Sequence, residues 1–280
     1  MKPILVFQTD FTYKESAVSS MYGVVKCVDR ELEIFDGTHE IPQYDTWSAS
    51  YRLFQSLPYW PKGTVYVSVV DPGVGTKRKG CVARTTDGHY VVTPDNGSLT
   101  HVKEWIGIEE VREIDESVNR LSGSEGVAVF HGRDVFGYTA SRLASGVITY
   151  EEVGPAYSVD EIVMHEIVAP IVKEKDVSGI FEIGDPNFGN LWTNITLDDF
   201  VKAGFEYGDV IDVTITYQGQ VVFERSVSYY QSFGFVKQGE LVIYLNEIKK
   251  IAMAVCMGSF SDIYELDFGP EWRVQFISKK

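Results

Sequence analysis

Asp71 and Arg78 stand seven positions apart in Asp71-Pro72-Gly73-Val74-Gly75-Thr76-Lys77-Arg78, directly after the run Val65–Val70. A carboxylate can take a proton and a guanidinium can orient a carboxylate or hold an anion, so the pair could handle water or a polar ligand. Pro72 fixes φ and the two glycines permit positive φ, so a chain leaving a strand here can fold back and bring both groups to one point. That point is the carboxyl end of a strand, where open α/β sheets bind ligands. Taken alone, the segment is more simply a strand exit in which Asp71 caps its own turn.

Two other segments bear on this. The run Val127–Phe130 predicts a buried strand leading into His131-Gly132-Arg133-Asp134 and a helix, which would put His131 at the same sheet edge. A His that caps the next helix fits equally well. His131 with Asp134 could suggest a metal, but no second His stands at ligand spacing and His39, His89, His101 and His165 are scattered, so no metal is expected. In Gly184–Asn194, the residues Asp185, Phe188, Asn190 and Trp192 could offer polar groups for a base edge and flat faces for stacking. A Gly/Asn turn between strands accounts for Asn187 and Gly189. Asp10 follows the first strand, either capping a turn or binding ribose hydroxyls. Gly73, Gly75 and Gly80 with Lys77, Arg78 and Lys79 match neither the Walker A spacing nor the dinucleotide fingerprint.

The elements that would position these groups follow from periodicity. Ile4–Phe7 is a short apolar run with a polar end, and Val18, Met21, Tyr22 and Val25 then recur at helical spacing. A strand near Glu33–Asp36, a helix bearing Trp47, Tyr51 and Phe54 and stopped by Pro58, and the strand at Val65 repeat the pattern. Such alternation predicts a mainly parallel sheet flanked by helices, extended by runs at Cys81–Arg84 and Tyr90–Val92. A helix is expected through Val135, Phe136, Thr139, Leu143 and Ala144. Beyond about Pro170 the texture changes to short runs at 210–217, 221–227, 241–245 and 273–277, an all-β pattern. The expected organisation is an α/β domain over 1–168 and a smaller β-barrel-like domain over 169–280.

Across 280 residues, 25 basic side chains face 40 acidic ones, a formal charge of -15 that argues against nucleic acid or an anionic membrane as partner. Cys27, Cys81 and Cys256 are far apart and set among apolar neighbours, which reads as buried free thiols in a reducing compartment. Residues 1–11 turn polar too early for a secretory signal and no apolar run reaches membrane length, so a cytoplasmic protein is expected.

Taken together, QTDF (Gln8–Phe11), VVDPGVGTKR (Val69–Arg78), TPDNGSLT (Thr93–Thr100), FHGRDVF (Phe130–Phe136) and DPNFGNLWTNI (Asp185–Ile195) resemble the S-adenosylmethionine hydroxide adenosyltransferase family. Its members are adenosine-forming S-adenosylmethionine hydrolases related to the chlorinase and fluorinase. The resemblance implies a water-handling triad of Asp71, Arg78 and His131, a ribose-binding Asp10, and Asp185, Phe188, Asn190 and Trp192 lining the methionine and adenine ends of the pocket. It implies S-adenosylmethionine as substrate with no further cofactor, and a homotrimer whose sites lie between subunits. The halogenases carry Tyr where this chain has Asp71, which favours hydrolysis over the chlorinase-like alternative. A non-catalytic binder of S-adenosylmethionine or adenosine is the other alternative. Two positions and one loop depart from the family pattern: Thr12 stands for its Gly, Glu15 for its Asp, and Ala254–Phe260 for its AVNQGNA loop, which leaves the nucleoside preference open.

Overall fold

A computed structural model of the chain describes residues 2–278. The chain forms two compact units, one up to His165 and one from Glu166.

In the first unit β1 (Leu5–Thr9) is buried throughout and pairs in parallel with β2 (Ile34–Thr38) on one side and β3 (Val65–Val69) on the other. β3 pairs in parallel with β5 (Tyr90–Pro94), and β4 (Gly80–Thr85) runs antiparallel beside it. β6 (Ile108–Glu113) and the two-residue β7 (Ala156–Tyr157) complete the order β2-β1-β3-β5-β4-β6-β7. The mainly parallel sheet is therefore the half that bears the candidate site, with an antiparallel extension. Alternation along β1 sends Leu5 and Phe7 into one core with Met21, Val25 and Phe136, and Val6 into another with Leu53, Tyr66 and Val102. Both faces are covered by helices: α1 (Ala17–Val28), α2 (Thr46–Ser56), α3 (Thr100–Trp105) and α4 (Tyr138–Ser145). Asp45 caps α2 by accepting from the Ser48 N–H at 2.9 Å, and a tight turn holding Pro58 follows its end.

Two expectations fail here. Cys27 is exposed, because α1 buries Val18, Met21, Val24 and Val25, and residue 27 falls on the opposite side of that stripe. Val127–Phe130 is loop rather than strand: Val129 is 77% exposed and, among the described residues, no strand pairs with the segment. The alternating valines mimic a strand, but the sheet order leaves no place for one. His131 instead enters a single wide π-type turn, Gly132–Gly137, that runs straight into α4.

The second unit is a barrel. β10 (Leu191–Thr196), β14 (Lys250–Val255), β13 (Leu241–Leu245), β12 (Gln220–Tyr229), β11 (Val210–Tyr217), β15 (Trp272–Ser278) and β9 (Asp176–Gly184) neighbour one another in that order, and β9 returns to β10. That last pairing removes the sheet edges, and β8 (Ile171–Lys173) adds to β9 outside the ring. Phe181, Leu191, Val213, Phe223, Ile243, Met253 and Phe276 fill the core. α5 (Leu197–Ala203) begins with a capping box between Thr196 and Asp199, and α6 (Phe260–Tyr264) is capped by Ser259.

Candidate active site

The loop after β3 does fold back. The Asp71 carbonyl accepts from Val74 N–H at 3.2 Å and that of Gly73 from Thr76 N–H at 3.1 Å, making two successive turns. Gly75 sits at φ 75°, and a Cβ there would come 2.9 Å from the Ala128 carbonyl oxygen, so the loop needs glycine for both conformation and approach. The result is a fork. Arg78 Nε donates to Asp71 Oδ1 at 2.9 Å and Oδ2 at 3.1 Å, and Nη2 donates to Oδ2 as well. The same Nη2 lies 3.0 Å from Nδ1 of His131. Asp71, Arg78 and His131 are thus joined, all nearly buried, with the guanidinium carbon 5.1 Å from the centre of the Phe136 ring.

Arginine cannot accept a hydrogen bond, so Nδ1 of a neutral His131 is the acceptor and its proton resides on Nε2. Burial lowers the proton affinity of His131 below the ordinary histidine value; Glu116, whose carboxylate is 4.0 Å from Nδ1, works against this, and the Arg78 and Arg120 charges reinforce it. A neutral, donating imidazole is what this environment favours at pH 7, rather than a protonated one.

Asp71 and His131 line a cavity of about 330 Å³ together with Asp10, Phe11, Glu15 and Tyr44. Arg78 stands behind this wall and touches the cavity only through its two partners. Asp10 is held by the Tyr44 N–H at 3.0 Å, and its pKa is raised by burial, with that bond opposing the rise and the Asp71 charge adding to it. Thr9, just before it, shares a hydrogen bond of 2.8 Å with His39, which ties the end of β1 to a buried polar cluster.

The second unit has its own cavity of about 640 Å³, lined by Phe188, Asn190, Phe233, Cys256 and Met257 among others. Gly189, at φ 66°, lies so close to the next loop that a Cβ would meet Ser259 Oγ at 1.9 Å. Its carbonyl accepts from Ser261 N–H at 2.9 Å, so the two loops form one wall. Phe188 is 68% exposed, and the nearly buried Asn190 lies on the same cavity lining. Asp185 and Trp192 are not on that lining. Asp185 accepts from the Asn187 and Phe188 N–H groups and shapes the turn, while the Trp192 ring is buried and donates to the Tyr244 hydroxyl at 3.1 Å. Among the described residues no group of three or more His, Cys, Asp or Glu could hold a metal ion, and the Asp134 carboxylate is taken by Arg133.

The family profile of the SAM hydroxide adenosyltransferase N-terminal domain matches residues 5–154, and that of its C-terminal domain matches residues 182–273. The chain belongs to the SAM hydroxide adenosyltransferase family. It is 29% identical over 270 residues to the (R)-S-adenosyl-L-methionine hydrolase of Methanocaldococcus jannaschii, covering 95% of this chain and 93% of that one. To the fluorinase of an Actinoplanes species it is 26% identical, with 95% of each chain covered. A crystal structure of an uncharacterized conserved protein from Thermotoga maritima superposes with a TM-score of 0.88 at 32% identity, over 98% of this chain and 100% of the other.

Sequence reasoning passed over Tyr44, which has φ 65° and is 68% exposed on the cavity rim. A bulky residue held in the left-handed region beside such a site is strain of the kind that clusters at binding sites. The Pro42-Gln43-Tyr44-Asp45 turn ahead of α2 was the available signal. Thr12, where the family pattern has Gly, also sits at positive φ, 56°, which gives that glycine a backbone reason.

Proposed function

We propose that this chain hydrolyses S-adenosylmethionine to adenosine and methionine, with water attacking the ribose C5′ in line as methionine departs. The observation that carries the reading is the Asp71–Arg78–His131 fork on the wall of a cavity that also holds Asp10. A sulfonium leaves as a neutral thioether without an acid, so the demand falls on the nucleophile. Water is a far weaker acid than a carboxylic acid, so Asp71 takes the proton as attack proceeds rather than beforehand. The Nε2–H of His131 donates a hydrogen bond to the water oxygen, and one lone pair remains for C5′. Arg78 acts through both, fixing the carboxylate plane and the imidazole tautomer. Asp10 binds the ribose hydroxyls, Phe188 and Asn190 contact the nucleoside and methionine, and Asp185 and Trp192 brace that wall from behind. The chemistry calls for no metal and no second cofactor.

The reading extends to a cytoplasmic homotrimer in which the first unit of one subunit and the second unit of its neighbour share each site. What supports it is that each cavity is lined by one unit alone and that the three thiols are free. Co-expressing Asp71→Ala with Asn190→Ala tests it: shared sites restore about a quarter of wild-type activity under random mixing, and sites within one chain restore none.

Incubating the protein with S-adenosylmethionine, with and without chloride, tests the reaction. Adenosine and methionine in equal amounts, whatever the chloride, is the expected result. A 5′-chloro nucleoside would assign the chain to the halogenases, and saturable binding without product would make it a binding protein.

A further inference from the structure

We propose that Asn96 is a positioning residue that sets the geometry of the Asp71–Arg78 loop; the proposal rests on the hydrolase reading above. β3 loses its ladder partners just before this loop: its register ends at Val69 against β1 and at Val67 against β5. Val70 is fully buried, so its carbonyl needs a partner from elsewhere. The Asn96 side chain supplies it, with Nδ2 donating to the Val70 oxygen at 2.9 Å. Which end of the amide does so is fixed by Ser98, whose N–H and hydroxyl both donate to Asn96 Oδ1, at 3.3 and 2.7 Å. The residue before holds the other end of the loop. Asp95 N–H donates to the Lys79 carbonyl at 2.9 Å, one residue past Arg78.

Asp95 and Asn96 therefore span the mouth of the loop, gripping it immediately before Asp71 and immediately after Arg78. Their own footing is firm. The buried Asp95 carboxylate accepts from the Tyr157 hydroxyl at 2.9 Å and from Val163 N–H at 2.9 Å, and the Lys79 ammonium sits 4.1 Å from the centre of the Tyr157 ring. Neither side chain is on the cavity lining, so Asn96 touches no substrate and acts only by holding the loop. Releasing it frees the Asp71 backbone, and with it the angle at which Arg78 meets both Asp71 and His131. Displacements near 1 Å in such a constellation cost on the order of 100-fold in rate.

The test uses full-length Asn96→Ala and the near-isosteric Asn96→Asp, which keeps the shape but cannot donate to Val70. Both should lower kcat between about 10- and 100-fold with KM for S-adenosylmethionine changed less than about twofold. In both, the ¹⁵N signals of His131 should move from a pure Nε2–H tautomer toward a mixture. Ser98→Ala removes only a bond to the acceptor end and should stay within a few-fold of wild type. Wild-type kcat in Asn96→Asp, or an unchanged His131 tautomer in a folded variant of lowered activity, overturns the clamp. If wild-type protein hydrolyses nothing, the hydrolase reading fails, while the tautomer measurement still decides the clamp.

Discussion

Arg78 Nη2 donates to Nδ1 of His131 across 3.0 Å, and this bond leaves the imidazole one tautomer and one protonation state in which to work. Burial and the Arg78 charge both oppose protonation, so the acid limb of kcat/KM should lie below the ordinary histidine value of about 6.5 and neutral pH should lie on the plateau. Glu116 pulls the other way. Glu116→Gln removes an influence that raises the His131 pKa and also frees Arg120 from its ion pair, so the acid limb should move to lower pH. A pH–rate profile that moves to higher pH would contradict this electrostatic assignment.

Asp71→Asn keeps the shape of the carboxylate and loses its capacity to take a proton. Turnover should fall by about 10²- to 10⁴-fold while calorimetric affinity for S-adenosylmethionine stays within a few-fold. Arg78→Lys should resemble it, because one ammonium cannot reproduce a fork to two carboxylate oxygens and an imidazole at once. Variants that bind poorly but turn over normally at saturation would reverse the roles.

Tyr44→Asn should stabilise the fold and impair the site. The left-handed region costs an ordinary residue about 1–2 kcal/mol and Asn much less, so a gain of about 0.5–1 kcal/mol is expected in denaturant titration. The N–H that holds Asp10 is retained, so the expected rise in KM reports the lost ring on the rim. Unchanged KM would remove Tyr44 from the site.

Gly189→Ala should destabilise by roughly 2 kcal/mol or more, since its methyl group would strike both Ser259 Oγ and the Ser259 backbone. Nucleoside binding should weaken with it, because the same contact aligns Phe188 and Asn190 against the facing loop. A variant with wild-type stability would show that the two loops separate freely.

The Asp71–Arg78 pairing was legible as a possibility because Pro72 and Gly75 allow a loop that folds back, although the segment alone reads more simply as a strand exit with Asp71 capping its own turn. His131 was placed at the right point by the wrong element: valines at 127 and 129 alternate like a strand, and only the sheet order shows there is no neighbour to pair with. Trp192 could be read as aromatic but not as turned away from the cavity, since its direction depends on the Tyr244 hydroxyl two strands away on the same face of the sheet. Asn96 was quoted within a motif and given no role, because a side-chain bond to a main-chain carbonyl leaves no mark on the partner's identity. Tyr44 was missed for a related reason: φ is not written in residue type unless the residue is Gly or Pro.

The most direct test of the central claim is the origin of the oxygen at C5′. Turnover of S-adenosylmethionine by the purified protein in H₂¹⁸O, with the nucleoside analysed by mass spectrometry, should give adenosine carrying one ¹⁸O at the 5′ position from the first turnover onward. Adenosine that is unlabelled in a single turnover, its oxygen drawn from an enzyme carboxylate, or a nucleoside with no 5′ oxygen at all, would contradict direct attack by a water held between Asp71 and His131.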